Sequence, residues 1–235
     1  MTITIIRFGG SNCDRDAAAA LDHLGIDSEI VWYEDGLPTD LTGVMLPGGF
    51  SYGDYLRAGA MAARTPIMDE VQTAAQAGVP ILGVCNGAQI CCESGLVPGM
   101  FTVNESAKFQ CEHIYVRVEN ANTIWTESYE PGAVLRLPIA HGEGRFQTDQ
   151  ETYRELERTD RILFRYCDKE GAITENANPN GSMGNVAGVL GTVDTVAVLM
   201  PHPERATLPD LGNTDGQGIL QGFDRLTAIS RPASQ

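Results

Sequence analysis

The sequence predicts an α/β fold: an open, mostly parallel sheet with helices on both faces. Two observations carry this expectation. Short apolar runs alternate with helix-periodic segments through the first hundred residues, and the runs end in glycine-rich junctions, Gly9-Gly10-Ser11-Asn12, Pro47-Gly48-Gly49 and Cys85-Asn86-Gly87. Such alternation is what strands joined by crossover helices produce. In order, Thr2 to Phe8 reads as a first strand, Asp14 to Leu24 as an amphipathic helix and Ser28 to Tyr33 as a second strand. A third strand over Leu41 to Leu46 stops at Pro47-Gly48-Gly49, and the alanine-rich stretch 56–76 reads as one long helix closed by Gly78. Val79 to Val84 has the continuous apolar character of a buried parallel strand and leads into an apolar helix over Ala88 to Glu93. Beyond it, 111–118, 133–139, 161–167, 186–190 and 195–200 read as strands, 149–158 as a polar helix and 217–228 as a final helix. No repeat or low-complexity linker divides the chain, so residues 1–235 are expected to form a single domain.

Composition narrows the function classes. With 43% hydrophobic and 20% charged residues over 235 positions, the chain is neither disordered nor fibrous and can bury a sizeable core. Its 31 acidic against 16 basic residues give a net charge of −15, and no Lys/Arg cluster interrupts it, so nucleic acid and anionic membrane are not expected partners. Only Lys108 and Lys169 are lysines; the other 14 basic residues are arginine. An acidic, lysine-poor surface fits a salt-rich cytoplasm, where screening blunts self-repulsion. The amino terminus lacks the pattern of a secretory signal and no apolar run approaches about 20 residues, so a cytoplasmic location is expected. The six cysteines form no C-x-x-C pair, and most read as buried thiols.

The chemistry concentrates at Gly83-Val84-Cys85-Asn86-Gly87. This G-x-C-x-G pattern is the thiol counterpart of a nucleophile elbow, in which a tight strand-to-helix turn exposes the nucleophile and flanking glycines avoid crowding by neighbouring backbone. Cys85 at a helix amino terminus meets a positive backbone end that stabilises a thiolate. Cys91 and Cys92 fall inside the following helix, where burial is expected. Acyl transfer also needs a base, an orienter for that base and oxyanion donors. His23 and His113 read as structural. Two H-x-E pairs remain, His141-Gly142-Glu143 and His202-Pro203-Glu204, and in either an imidazole and a carboxylate lie two residues apart on an extended segment. Pro201 and Pro203 stiffen the second pair, whereas glycines surround the first as in a loop closing over a ligand. A zinc site drawn from both pairs lacks a third ligand motif. Oxyanion donors are expected from the Asn86 N–H and from the turn Pro47-Gly48-Gly49-Phe50. Ligands of open α/β sheets bind outside the carboxyl ends of the strands, so donors, nucleophile and base would meet in one cleft.

Six segments in this order, FGGSNCDRD (8–16), LPGGFSYGDYLRAGA (46–60), GVCNGAQI (83–90), IAHGEGRF (139–146), NPNGS (178–182) and MPHPER (200–205), resemble the glutaminase subunits of phosphoribosylformylglycinamidine synthases. The likeness spans essentially the whole chain. G-x-C-x-G with a distant H-x-E is shared by class I (triad) glutamine amidotransferases at large, whereas SNCDRD, GGFSYGDYLR and HGEGRF are more particular to this subunit. Gly9 departs from the family, which more often has proline there. The resemblance implies a class I glutamine amidotransferase-like, flavodoxin-like fold in which His202 is the base and Glu204 its partner. It makes His141 to Arg145 the loop bordering a glutamine pocket, with Gln89 as a contact for the substrate amide. It further implies a Cys85 thioester and ammonia passed through a protein channel to a separate large synthase subunit, with a small accessory subunit in the same complex. ATP and Mg would act on that synthase, since nothing here resembles a P-loop, and no cofactor is expected on this chain. Two other readings keep the same residues: a stand-alone cysteine hydrolase or peptidase, and a non-catalytic binding subunit.

Overall fold

A computed structural model of the chain describes residues 2–229. The first strand, β1 (Thr2–Arg7), is followed by α1 (Asp14–His23), β2 (Asp27–Trp32) and β3 (Val44–Leu46). Then come α2 (Pro66–Gln76), β4 (Ile81–Val84), α3 (Asn86–Glu93), β5 (Met100–Thr102), β6 (Gln110–Val118), β7 (Val134–His141) and β8 (Arg145–Gln147). The chain continues through α4 (Gln150–Arg158), β9 (Ile162–Cys167), β10 (Val186–Leu190), β11 (Val196–Leu199), α5 (Gln217–Leu220) and α6 (Gly222–Ile229). Nine strands form one sheet in the order β2-β1-β3-β4-β11-β10-β9-β6-β7. The stretch β2-β1-β3-β4-β11 is parallel throughout, and every residue of β3, β4 and β11 is buried. Apolar runs without alternation, Val44–Leu46 and Val196–Leu199 among them, are what strands covered on both faces require.

From β11 onward the pairing turns antiparallel, through β10, β9, β6 and β7. No helix lies between β6 and β7 or between β10 and β11, and connections without a crossover return the chain antiparallel. The open α/β sheet is therefore mixed, with its parallel half carrying the glycine-rich junctions. The apolar side chains pack into one continuous core, in which the buried Trp125 meets Phe223 edge-on at 5.1 Å.

Four elements differ from expectation. The helix expected over 56–76 begins only at Pro66, the favoured first-turn residue, and what precedes it is a series of turns with Leu56 at φ 70° and Gly59 at φ 82°. The reason is tertiary: Gly59 lies flat on α3, where a Cβ would come within 2.7 Å of the Ile90 nitrogen. Alanine content alone does not override that contact. The final helix is divided into α5 and α6 at Gly222, where a Cβ would come within 2.7 Å of the Trp125 ring. β5 and β8, three residues each, pair antiparallel as a separate small sheet and are too short to show periodicity.

Candidate active site

β4 ends at Val84, α3 begins at Asn86, and Cys85 alone makes the turn with φ 52° and ψ −107°. A residue with a side chain rarely adopts this conformation, and holding it costs on the order of 1–3 kcal/mol. The surrounding backbone fixes it: the Cys85 N–H donates to the Leu199 carbonyl at 2.9 Å and the Cys85 carbonyl accepts from the Gln89 N–H at 3.1 Å. Both flanking glycines have steric reasons. A Cβ on Gly83 would lie 2.8 Å from the Gly87 oxygen, and one on Gly87 would overlap the Leu46 carbonyl, so α3 starts this close to β3 only because residue 87 has no side chain.

β11 pairs with β4 in register Leu199↔Val84, so the residues leaving the two strands emerge side by side. His202 emerges there, its N–H donating to the Pro138 carbonyl at 2.8 Å, and Glu204 follows in a short 3₁₀ turn opened by Pro203. His202 Nδ1 lies 2.5 Å from Glu204 Oε1, and both side chains are 1% exposed. Burial opposes charge on His202, but Glu204 and the adjacent Cys85 sulfur outweigh it and hold the imidazolium well above the usual histidine range. Glu204 occupies Nδ1, and among the described residues Nε2 has no hydrogen-bond partner. Gly48 packs on the ring, where a Cβ would lie 2.7 Å from Cε1.

The other H-x-E pair is built differently. His141 ends β7 and is buried; its Nδ1 faces Asn104 Oδ1 at 3.1 Å and its Nε2 faces Asn180 Nδ2 at 3.5 Å. Burial first, then the charge on His202, pushes its pKa down to about 4, so the ring is neutral near pH 7. Glu143 does not orient it: Glu143 Oε2 accepts from the Ala58 N–H at 3.2 Å. Among the described residues, the one grouping of three or more metal-type donors is Cys13, His202 and Glu204, so the two H-x-E pairs do not combine into a zinc site.

A cavity of about 240 Å³ opens beside the elbow. Cys85 and Gln89 line it from α3, Gly49 and Phe50 from the turn after β3, and Ala140, His141 and Glu143 from β7 and its exit; Asp54 and Phe109 complete the wall. A larger groove of about 840 Å³ along α4 lies away from this chemistry and contains no cysteine or histidine. Ser11 and Gly49 form a bridge through the flanking bonds Phe50 N–H to Gly10 O and Asn12 N–H to Gly48 O. That pattern leaves the Gly49 N–H outside the ladder. In the same turn the Phe50 N–H is committed to Gly10 at 3.0 Å, and Phe50 lines the cavity, its ring 6.2 Å from that of Phe109. Gly48 is a packing residue against His202. Gln89 Nε2 donates to the Glu143 carbonyl at 2.7 Å and its Oε1 accepts from Asn86 Nδ2 at 2.9 Å, so Gln89 ties α3 to the loop after β7.

The structure thus brings Cys85, His202, Glu204, Gly49, Asn86, Gln89 and His141 to one edge of the sheet. Sequence reasoning missed Cys13, whose Sγ lies within 4.8 Å of a His202 ring nitrogen and accepts from Arg205 Nη2 at 3.1 Å. It missed Asn104 and Asn180, which frame His141, and Asp54. Cys13, Asp54 and Asn180 sit inside motifs quoted above, yet no spacing rule assigns them a contact. Of the remaining cysteines, Cys91 and Cys167 are buried, with thiols pushed up by burial to about 12 and about 11, whereas Cys111 is exposed.

Comparison with known proteins agrees with this geometry. The family model of the CobB/CobQ-like glutamine amidotransferase domain matches residues 1–215. The chain is 69% identical over 223 residues, 95% of its length and 100% of the relative's, to the phosphoribosylformylglycinamidine synthase subunit PurQ of Natronomonas pharaonis. It is 65% identical, with the same coverage, to the subunit of that name from Halobacterium salinarum. Among solved structures it superposes on a chain of PurLQS from Thermotoga maritima with a TM-score of 0.84 at 40% identity, covering 96% of this chain and 98% of that one. On site, fold and sequence together, the chain belongs to the CobB/CobQ-like glutamine amidotransferase family.

Proposed function

We propose that the chain is the glutaminase subunit of a phosphoribosylformylglycinamidine synthase, releasing ammonia from glutamine for a separate ATP-dependent synthase subunit. The observation that carries this reading is the pairing of a strained Cys85 elbow with a buried His202–Glu204 dyad just past the end of the adjacent strand, beside a cavity large enough for one small amino acid. In the proposed reaction the Cys85 thiolate attacks the carboxamide carbon of glutamine. The N–H groups of Gly49 and Asn86 stabilise the tetrahedral oxyanion. The His202 imidazolium, kept charged by Glu204, donates its Nε2 proton to the departing ammonia, leaving a γ-glutamyl thioester on Cys85. Neutral His202 then takes a proton from water, which attacks the thioester and releases glutamate and the regenerated thiolate. His141, neutral and fixed by Asn104 and Asn180, shapes the cavity wall without taking part in proton transfer.

Free ammonia in water equilibrates with ammonium and loses nucleophilicity, which favours delivery through a large synthase subunit bound to this one, with a small accessory subunit in the same assembly. The names of the PurQ relatives and of the PurLQS structure support that partnership. Residues 1–235 are read as one amidotransferase domain, supported by the continuous core and the sheet shared by both halves of the chain; Met1 and residues 230–235 lie outside the described residues. A cytoplasmic location fits the pathway of the relatives, and no helix among the described residues is long and apolar enough to cross a membrane.

The test is glutamate release from glutamine in high salt, with and without the synthase subunits and their substrates. Cys85→Ala is expected to abolish release and His202→Ala to reduce it by at least about 1,000-fold, the scale on which loss of a triad member acts. His141→Ala is expected to act mainly through KM. Full activity of Cys85→Ala in the assembled complex would overturn the reading.

A further inference from the structure

We propose that Cys13, His202 and Glu204 form a site for a thiophilic divalent cation, Zn²⁺ being the best match, and that filling it shuts off the dyad. Binding stands on the donor geometry alone; the shut-off rests on the proposed glutaminase function. Cys13 comes from the turn that opens α1, and the other two from the segment after β11. The Cys13 sulfur, a His202 ring nitrogen and a Glu204 carboxylate oxygen all lie within 4.8 Å of one another, and the three residues are buried. Ligand atoms of a tetrahedral zinc ion stand about 3.5 Å apart, so a contraction of about 1 Å closes the set. Thiolate, imidazole and carboxylate are the donor types zinc takes, whereas Mg²⁺ and Ca²⁺ take oxygen ligands. Cys85 is not a member of the group, so the site is distinct from the nucleophile.

A second observation is independent of donor spacing. Glu204 Oε2 and His202 Nε2 have no hydrogen-bond partner among the described residues, although both side chains are 1% exposed. A buried carboxylate oxygen without a donor is costly, and a cation satisfies it. The Cys13 sulfur is held in place, accepting from Arg205 Nη2 at 3.1 Å and donating to Asn12 Oδ1 at 3.0 Å. The charge of Arg205 is matched by Asp16, whose Oδ2 accepts from Arg205 Nε at 3.0 Å. Entry is separate from the Cys85 cavity. A second cavity, of about 480 Å³, reaches Glu204 between Asp16, His113, Pro138, Arg205 and Leu208 and shares no lining residue with the first. Binding releases two protons to solvent, the thiol proton of Cys13 and one imidazolium proton of His202, and the dication is neutralised by one thiolate and one carboxylate. With a ring nitrogen and Glu204 committed to the metal, His202 no longer carries the proton that departing ammonia needs.

The probe is Co²⁺, because thiolate bound to it absorbs in the near ultraviolet. It is titrated into the full chain carrying Cys85→Ala, which removes the nucleophile as a ligand, and then displaced with Zn²⁺. A thiolate band saturating at one ion per chain is expected, and its loss when Cys13→Ser is added. Cys111→Ser, which removes the exposed cysteine, is expected to leave the band unchanged. No band in the Cys85→Ala chain, a band that survives loss of Cys13, or a band carried by Cys111 overturns the proposal. The Cys111 arm keeps the test decisive if a Cys13 variant fails to fold. In the assembled complex with Cys85 intact, Zn²⁺ is expected to lower kcat for glutamate release with KM within about twofold, and EDTA to restore it; Cys13→Ser is expected to raise the half-inhibiting Zn²⁺ concentration at least about tenfold. Equal inhibition of Cys13→Ser, or inhibition that glutamine competes away, overturns the shut-off. A chain that binds the metal in this way, but whose complex releases no glutamate, would sink the glutaminase reading and leave the metal site standing.

Discussion

Cys85 and His202 divide the work of the site between strain and charge. Cys85 is presented by a backbone conformation that its own side chain disfavours, while His202 is kept protonated by Glu204 in a place where burial alone would strip the proton away. The sign of each shift sets a pH profile. kcat/KM reports the free enzyme, so it is expected to fall on the acid side as Asp54, at about 6 and in the wall of the Cys85 cavity, gains a proton. On the alkaline side it is expected to fall only above the ordinary histidine range, where His202 finally loses its proton. Asp54→Asn is expected to remove the acid limb selectively, which a pH series of steady-state kinetics checks. The same substitution is expected to raise the melting temperature at pH 7. Asp54 is ionised at neutral pH in both states, but its carboxylate is disfavoured in the folded one; the gain should shrink as pH falls through about 6 and vanish below the unfolded value of 3.8, where both states are protonated. Unchanged thermal stability across that window would contradict the view that this carboxylate is held at a cost to the fold.

At the scale of elements, the junction between β4 and α3 carries the proposed nucleophile, and it is the part most legible in sequence. Its information is local: an apolar run, a glycine, the nucleophile, a second glycine and a helix all fall within a dozen residues. Gly87→Ala tests the steric half of that statement. Overlap with the Leu46 carbonyl must push α3 away from β3, with an expected loss of about 1–3 kcal/mol by denaturant titration. Glutamate release should fall by more than that loss of folded protein explains, because the Asn86 N–H moves with the helix; undiminished activity and stability would show that the close approach is not required. What sequence did not show depends on contacts between distant segments. Alanine content suggested a helix over 56–65, but packing of Gly59 on α3 imposes turns there, and those turns deliver Asp54 to the cavity. The choice between His141 and His202 needed the family resemblance, because both pairs have the same spacing. Geometry then separates them through which imidazole a carboxylate reaches. The proximity of Cys13 and His202, within 4.8 Å, joins distant parts of the chain and has no periodic signature.

The whole molecule explains both its length and its charge. The proposed oxyanion donor Gly49, nucleophile Cys85 and base His202 follow β3, β4 and β11, strands adjacent in the sheet but separated in sequence by most of the chain, so the proposed site forms only once the parallel half of the sheet is assembled. Many arginines are engaged in ion pairs, Arg7 with Asp14, Arg117 with Glu119 and Arg205 with Asp16 among them, which leaves a surplus of carboxylates that repel one another at low salt. With a net charge of −15, stability is expected to rise with KCl from low to molar concentration as the screening length shrinks toward about 3 Å. A flat or falling melting temperature would show that the acidic surface is not tuned to salt. The central claim is chemical, and its most direct measurement is intact-protein mass spectrometry of the assembled complex, acid-quenched during glutamine turnover. A species heavier by one γ-glutamyl group, mapped to Cys85 and absent from Cys85→Ala, is expected. Steady release of glutamate with no adduct at Cys85, or with an unaltered adduct in Cys85→Ala, would contradict the account.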